Sequence, residues 1–119
     1  MRDFRKLDIW KNGLDIVKFV YLLTDKLPSE EKFGLRSQLT RASVSIPSNI
    51  AEGCSRNSDI EFKRFLEIAM GSLFEVETQL LIAQKLEFLN KEELKSILEL
   101  LNTEAKMINS LINKIKNSQ

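Results

Sequence analysis

Asn90-Lys91-Glu92-Glu93-Leu94 opens the stretch that decides the fold, and Leu94, Leu101, Ile108 and Ile115 then recur every seven residues. Asn90 is a helix-capping residue, and Glu93, three positions on, can reach back to its backbone, so the pair reads as a capping box. Ile97 or Leu98, Ala105, and Leu111 or Ile112 fill the intermediate positions. A seven-residue apolar repeat keeps one seam of a helix against a neighbour. The spacing predicts a helix over about residues 90–116 that packs on others of its kind.

Working back along the chain, three more segments carry the helical period. Ser58 and Glu61 form a second capping signal, and Phe62, Phe65, Ala69, Leu73, Val76, Leu80 and Ala83 give a core stripe over about residues 58–86. Leu35, Leu39, Ala42, Ile46, Ile50 and Gly53 line a segment over about residues 31–56. Pro47 lies inside it, removes one backbone donor and predicts a bend near Ser43 to Pro47, with Ser43, Ser45 and Ser48 placed to bond the freed carbonyls. The first segment, about residues 8–26, is apolar over roughly 200° of its circumference. One stripe is Leu7, Trp10, Leu14, Val17 and Tyr21; beside it run Ile9, Gly13, Ile16, Val20, Leu23 and Leu27. A face that wide exceeds what one bundle seam needs. Ile9, Ile16, Phe19, Val20 and Leu23, with Met70 and Phe74 of the third segment, are therefore the candidate contacts to a second copy.

Pro28 ends the first segment, because a residue before proline is pushed out of helical dihedrals. The connections at about 28–30, 57 and 87–89 are short, and short loops make consecutive helices antiparallel neighbours. The predicted fold is all-α: an antiparallel up-down-up-down four-helix bundle, one domain over residues 1–119, assembled as an oligomer.

Composition removes most chemistry. The 119 residues contain no histidine and one cysteine, so the commonest general base and metal ligand are absent and no intrachain disulfide can form. One cysteine cannot build a zinc site, no glycine-rich phosphate loop is present, and Glu75 with Glu77, or Glu92 with Glu93, do not share a helix face. No catalytic residue, metal or cofactor is expected. Cys54 reads as a small residue near a helix end, with a redox thiol as the alternative. The opening MRDFRKLDIWKNG is charged throughout, and no segment approaches a membrane span, which predicts a cytoplasmic protein without a membrane partner.

Charge is nearly balanced, at +1 overall, far from that of a dedicated nucleic-acid binder. A local cluster remains: Arg36, Arg41, Arg56, Lys63 and Arg64, able to contact phosphates or simply to solvate the surface. The least ordinary run is Ser45-Ile46-Pro47-Ser48-Asn49-Ile50-Ala51-Glu52-Gly53, where a plain bundle would carry Leu, Lys and Glu. Gln38, Arg41, Ser45, Ser48 and Glu52 fall on one polar strip. Close packing of helices or subunits is favoured by the spacing; a ligand or nucleic-acid surface is the other reading.

These residues also carry a resemblance. Phe4-Arg5-Lys6-Leu7-Asp8-Ile9-Trp10, Phe33-Gly34-Leu35-x-x-Gln38-Leu39-x-Arg41-Ala42, the run with Ser45, Pro47, Asn49, Glu52 and Gly53, Phe62-x-x-Phe65-Leu66-x-x-Ala69-x-Gly71-Ser72-x-x-Glu75 and Leu86-Glu87-Phe88-Leu89 fit one pattern. The chain resembles the four-helix-bundle proteins encoded in intervening sequences of bacterial large-subunit rRNA genes, whose members more often carry Gly where this chain has Glu87. It is also similar to the accessory protein of diversity-generating retroelements. The resemblance implies a ring-shaped homo-oligomer, a pentamer, with RNA or DNA as a possible ligand and no enzymatic activity. The leading expectation is a nucleic-acid-associated oligomer; the alternative is a scaffold or accessory subunit whose partner is a protein.

Overall fold

Each helix begins and ends where its local chemistry dictates. The computed structural model describes residues 2–118. Its helices are α1, Asp8–Thr24; α2, Leu35–Cys54; α3, Asp59–Lys85; and α4, Lys91–Asn117, with single 3-10 turns at Phe4–Lys6 and Ser29–Glu31. No strand is present among the described residues. The Asn90 side chain accepts from the Glu93 N–H at 2.8 Å, and the Glu93 carboxylate accepts from the Asn90 N–H at 2.9 Å, the reciprocal box expected. Ser58 caps α3 by accepting from the Glu61 N–H, while the Glu61 carboxylate meets the Ser58 hydroxyl instead of the backbone.

Two boundaries differ from expectation. Helix α2 starts at Leu35 and not near Glu31, because Pro28 opens a separate tight turn and Gly34, at φ −106° and ψ −111°, breaks the helical path. Helix α1 stops at Thr24; the chain tightens there, with the Lys26 and Leu27 N–H groups donating to Leu23 and Thr24. Through Pro47, α2 stays helical. The nearby serines do not serve the carbonyl that proline frees: Ser43 donates to Thr40, and Ser45 pairs across to α3.

Side-chain pairs fix the antiparallel order. Arg36 to Asp25 at 2.9 Å ties the end of α1 to the start of α2; Ser45 to Ser72 at 2.8 Å joins the middles of α2 and α3. Lys26 to Glu93 at 3.0 Å ties the end of α1 to the start of α4. Each helix packs on two neighbours; α1 and α3 sit on opposite corners and do not touch. The result measures 46 × 23 × 20 Å. Between α3 and α4 the chain turns through Glu87, whose φ of 65° is left-handed. The Phe88 N–H donates to Ala83 and the Glu87 N–H to Gln84, a Schellman closure that glycine fits without strain.

The interior is filled by Ile16, Val20, Leu39, Ile46, Ile50, Phe62, Leu66, Leu73, Leu80, Leu94, Ile97, Leu101 and Ile108. One position breaks the apolar rule. Where Ala105 was expected to fill the α4 seam, Glu104 lies fully buried and Ala105 is only half-buried. The Asn12 side chain donates to Glu104 Oε1 at 3.1 Å and to the Leu100 carbonyl at 3.3 Å, while Glu104 Oε2 has no partner. Gly13 leaves room for this carboxyl: a methyl group there would stand 3.4 Å from Oε2 and 3.3 Å from Pro47 Cβ. Burial pushes the Glu104 carboxyl up to about 7, with the Asn12 hydrogen bond pulling the other way.

A carboxyl with a raised folded-state pKa holds its proton in the folded protein after the unfolded chain has lost it. Stability from this group is therefore present below about pH 4.5 and is lost as pH rises from there to about 7, by up to about 3 kcal/mol. Urea unfolding at either end of that window should show the wild type losing stability relative to Glu104→Gln, which cannot ionise. Parallel pH profiles for the two proteins would contradict the burial account.

Candidate nucleic-acid and assembly surfaces

The small-residue run of α2 works as a seam. Asn49 donates from its amide to the Ser45 carbonyl and hydroxyl, both at 2.8 Å, and Ser45 in turn shares a hydrogen bond with Ser72 of α3. At Gly53 the two helices come so close that a Cβ would stand 2.8 Å from Phe65 Cβ and 3.0 Å from the Phe62 ring. Pro47 is buried, and Glu52 is exposed and paired along its own helix with Arg56 at 3.5 Å. The expected polar strip divides. Gln38, Arg41 and Ser45 line a groove of about 440 Å³ with Ser72, Glu75 and Gln79 of α3, while Ser48 and Glu52 face solvent. Gln79 donates to Gln38 at 3.4 Å, and its own carbonyl oxygen is buried without a partner.

The N-terminal segment straps this seam. The Arg2 N–H donates to the Cys54 carbonyl at 3.1 Å; its guanidinium pairs with Asp59 and lies 4.1 Å over the Phe62 ring. Phe4 packs edge-on against Trp10 at 5.1 Å. Beneath the strap Cys54 is buried, and that burial raises its thiol above the ordinary value, with Arg2 opposing. A thiol held protonated and covered is a poor nucleophile, so its place here is in packing.

The five expected basic residues do not form one patch. Arg36 lies at the end of the bundle where α2 begins, paired to Asp25; Arg41 is mid-helix in the groove. Arg36 and Arg56 stand about 30 Å apart along α2, from a rise of ~1.5 Å per residue. Arg56, Lys63 and Arg64 do lie at one end of the bundle, around the α2–α3 turn, with the Arg56 guanidinium 4.9 Å from the Phe65 ring. Other basic residues join them that spacing along the sequence could not reveal. Arg2, Arg5 and Lys6 arrive through the strap, and Lys114 and Lys116 on the last turn of α4, which ends at the same end of the bundle. Asp3, Asp8, Glu52, Asp59 and Glu61 are the acids there, all but Asp8 engaged in an ion pair or a helix cap. Among the described residues, Lys63, Arg64, Lys114 and Lys116 have no carboxylate within ion-pair distance.

The assembly residues also need correction. Ile9, Ile16, Val20 and Leu23 are buried in the protomer's own core and are closed to a second copy; Phe19 and Met70 are half-buried, and Phe74 is 57% exposed. The stripes of α1 are the reverse of expectation. Gly13, on the same stripe as Ile9 and Ile16, packs on α2 and α4, so that stripe turns inward. Leu14 at 43% exposure, Tyr21 at 47% and Leu22 at 59% are left outside. No helix is long and apolar enough to cross a membrane, and no metal-ligating cluster of acids and cysteine occurs, both among the described residues.

Fold and seam together define an antiparallel four-helix bundle clasped between α2 and α3. The chain belongs to the 23S rRNA-intervening sequence protein family, whose model matches residues 5–110. A solved structure from Bacteroides thetaiotaomicron, described as a protein of unknown function from the S23 ribosomal protein family, superposes with a TM-score of 0.81 at 25% identity. The match covers 87% of this chain and 97% of that one. No curated protein matches the chain.

If the run from Ser45 to Gly53 acts through packing, Gly53→Ala must push Phe65 or Phe62 away and should cost about 1–3 kcal/mol. Chemical denaturation measures this directly. An unchanged midpoint would mean the seam is looser than its geometry.

Proposed function

We propose that the protein is a non-enzymatic homo-oligomer that binds structured RNA or DNA through phosphate contacts at one end of its bundle. The observation that carries this is the gathering of basic residues from four chain segments onto that end, where Lys63, Arg64, Lys114 and Lys116 have no acidic partner among the described residues. Phosphate contact needs only exposed cations and carries no base readout. Among the described residues no row of exposed aromatics on which bases would stack stands at this end, where Phe62 is buried and Phe65 lies under Arg56. The family description, which ties its members to intervening sequences of 23S rRNA, supports a nucleic-acid setting. Buried, protonated Cys54 is compatible with a cytoplasmic location.

Assembly makes a modest patch effective. Leu14, Tyr21, Leu22 and Phe74 leave apolar surface uncovered, and a ring of copies, the pentamer that the resemblance implies, would cover it. Several weak ends on one particle bind with an avidity that none has alone. The exposed apolar surface of α3 equally suits a protein partner, which is the ground for an accessory-subunit reading.

Fluorescence anisotropy against a structured RNA and a DNA duplex, at about 50 and about 200 mM salt, tests the proposal. Binding should weaken steeply with salt. Arg64→Ala and Lys114→Ala should each lower the salt slope by about 1, and Arg36→Ala, at the opposite end, should leave it unchanged. Absence of binding near physiological salt, or an equal loss from Arg36→Ala, would contradict it. A specific protein that co-purifies despite nuclease, with no nucleic-acid binding, would support the accessory-subunit reading instead.

A further inference from the structure

Of the four glycines, Gly71 alone sits inside a helix with no reason in the protomer for its missing side chain. A Cβ on Gly13 would press Pro47 and Glu104, and one on Gly53 would strike Phe65; Gly34 breaks the path into α2. A Cβ on Gly71 would meet nothing within 4 Å. Mid-helix glycine costs about 1 kcal/mol relative to alanine, and what it offers in return is a bare backbone that another chain can approach closely. Gly71 lies on the outer face of α3 in a shallow groove with Phe74, Glu75, Thr78, Gln79 and Ile82, walled on the α2 side by Gln38, and Phe74 and Ile82 are exposed.

The other uncovered apolar surface, Leu14, Tyr21 and Leu22 on α1, is on the opposite corner of the bundle. Lys11, Asp15 and Lys18 are the exposed charges beside the α1 stripe; Glu75 lines the α3 groove, with Glu67 one turn and Arg64 two turns before Gly71. With the helices parallel, one sequence offset brings Leu14 opposite Gly71, Lys18 opposite Glu75 and Tyr21 opposite Thr78.

We infer that the α3 groove at Gly71 receives the outer stripe of α1 from a second copy, a head-to-tail contact in which Leu14 seats on the bare Gly71 backbone. This rests on the assembly reading above and names its two surfaces. Because the surfaces are different and lie on opposite corners, each copy uses both, and the contact propagates until a ring closes. Parallel α1 and α3 place every basic end on the same side of that ring.

Two variants, each altering one exposed position, test the contact by light scattering with size exclusion. Leu14→Glu spoils the α1 stripe and leaves the groove intact; Gly71→Phe fills the groove and leaves the stripe intact. Circular dichroism should show both folded, since neither side chain enters the core. Each alone should fall from the wild-type assembly to a single copy of 13.7 kDa. Mixed, the intact stripe of Gly71→Phe should dock on the intact groove of Leu14→Glu and yield a two-chain species. A mixture that stays single-copy, or a Gly71→Phe protein that assembles as the wild type does, would overturn this contact while leaving the assembly reading standing. A single-copy wild type would overturn both.

Discussion

A bundle 23 × 20 Å across has one interior, and four helices compete for it. The α4 seam, the small-residue line of α2 and the inner stripes of α1 and α3 fill that space. Leu14, Tyr21, Leu22, Phe74, Leu81 and Ile82 have no place in it and remain on the outside. Single exposed apolar residues are ordinary on a protein surface. These are not single: on α1 they recur at helical spacing, and on α3 they flank a glycine that no neighbour in the protomer requires. Apolar surface arranged that way would be stabilised by the association proposed above.

The α2–α3 seam makes this division rigid. Gly53 brings the helices close at one end, Ser45 and Ser72 share a hydrogen bond near the middle, and the Arg2 strap holds the turn between them. On the other side of the core, Asn12 and Glu104 join α1 to α4 with a polar contact that only one register satisfies. A buried polar pair of this kind fixes how helices align at some cost in stability. It holds α1 with the Ile9–Ile16 stripe inward, and so determines which stripe faces the solvent.

Helix number, order and caps were legible because they are local: a capping box, a proline or a seven-residue repeat acts over one or two turns. The stripe of α1 that faces inward was not, because two adjacent apolar stripes are equivalent until the Gly13–Pro47 and Asn12–Glu104 contacts choose between them. Glu104 stands seven residues after Ile97, on the repeat, but a search for apolar periodicity passes over a carboxylate. The basic end was half legible. Arg56, Lys63 and Arg64 are close in sequence, whereas Lys114 and Lys116 reach them only because α4 runs back along the bundle. The left-handed turn at Glu87 was not legible, since a glutamate between Leu86 and Phe88 gives no local sign of a positive φ.

Whether copies associate is the claim on which multivalent binding and the role of Gly71 both stand. Sedimentation velocity of the unmodified protein at micromolar concentration tests it most directly. The account predicts a discrete species at a whole-number multiple of 13.7 kDa that persists on dilution through that range. A homogeneous species of that single mass, with Leu14, Tyr21 and Phe74 left in water, would contradict it.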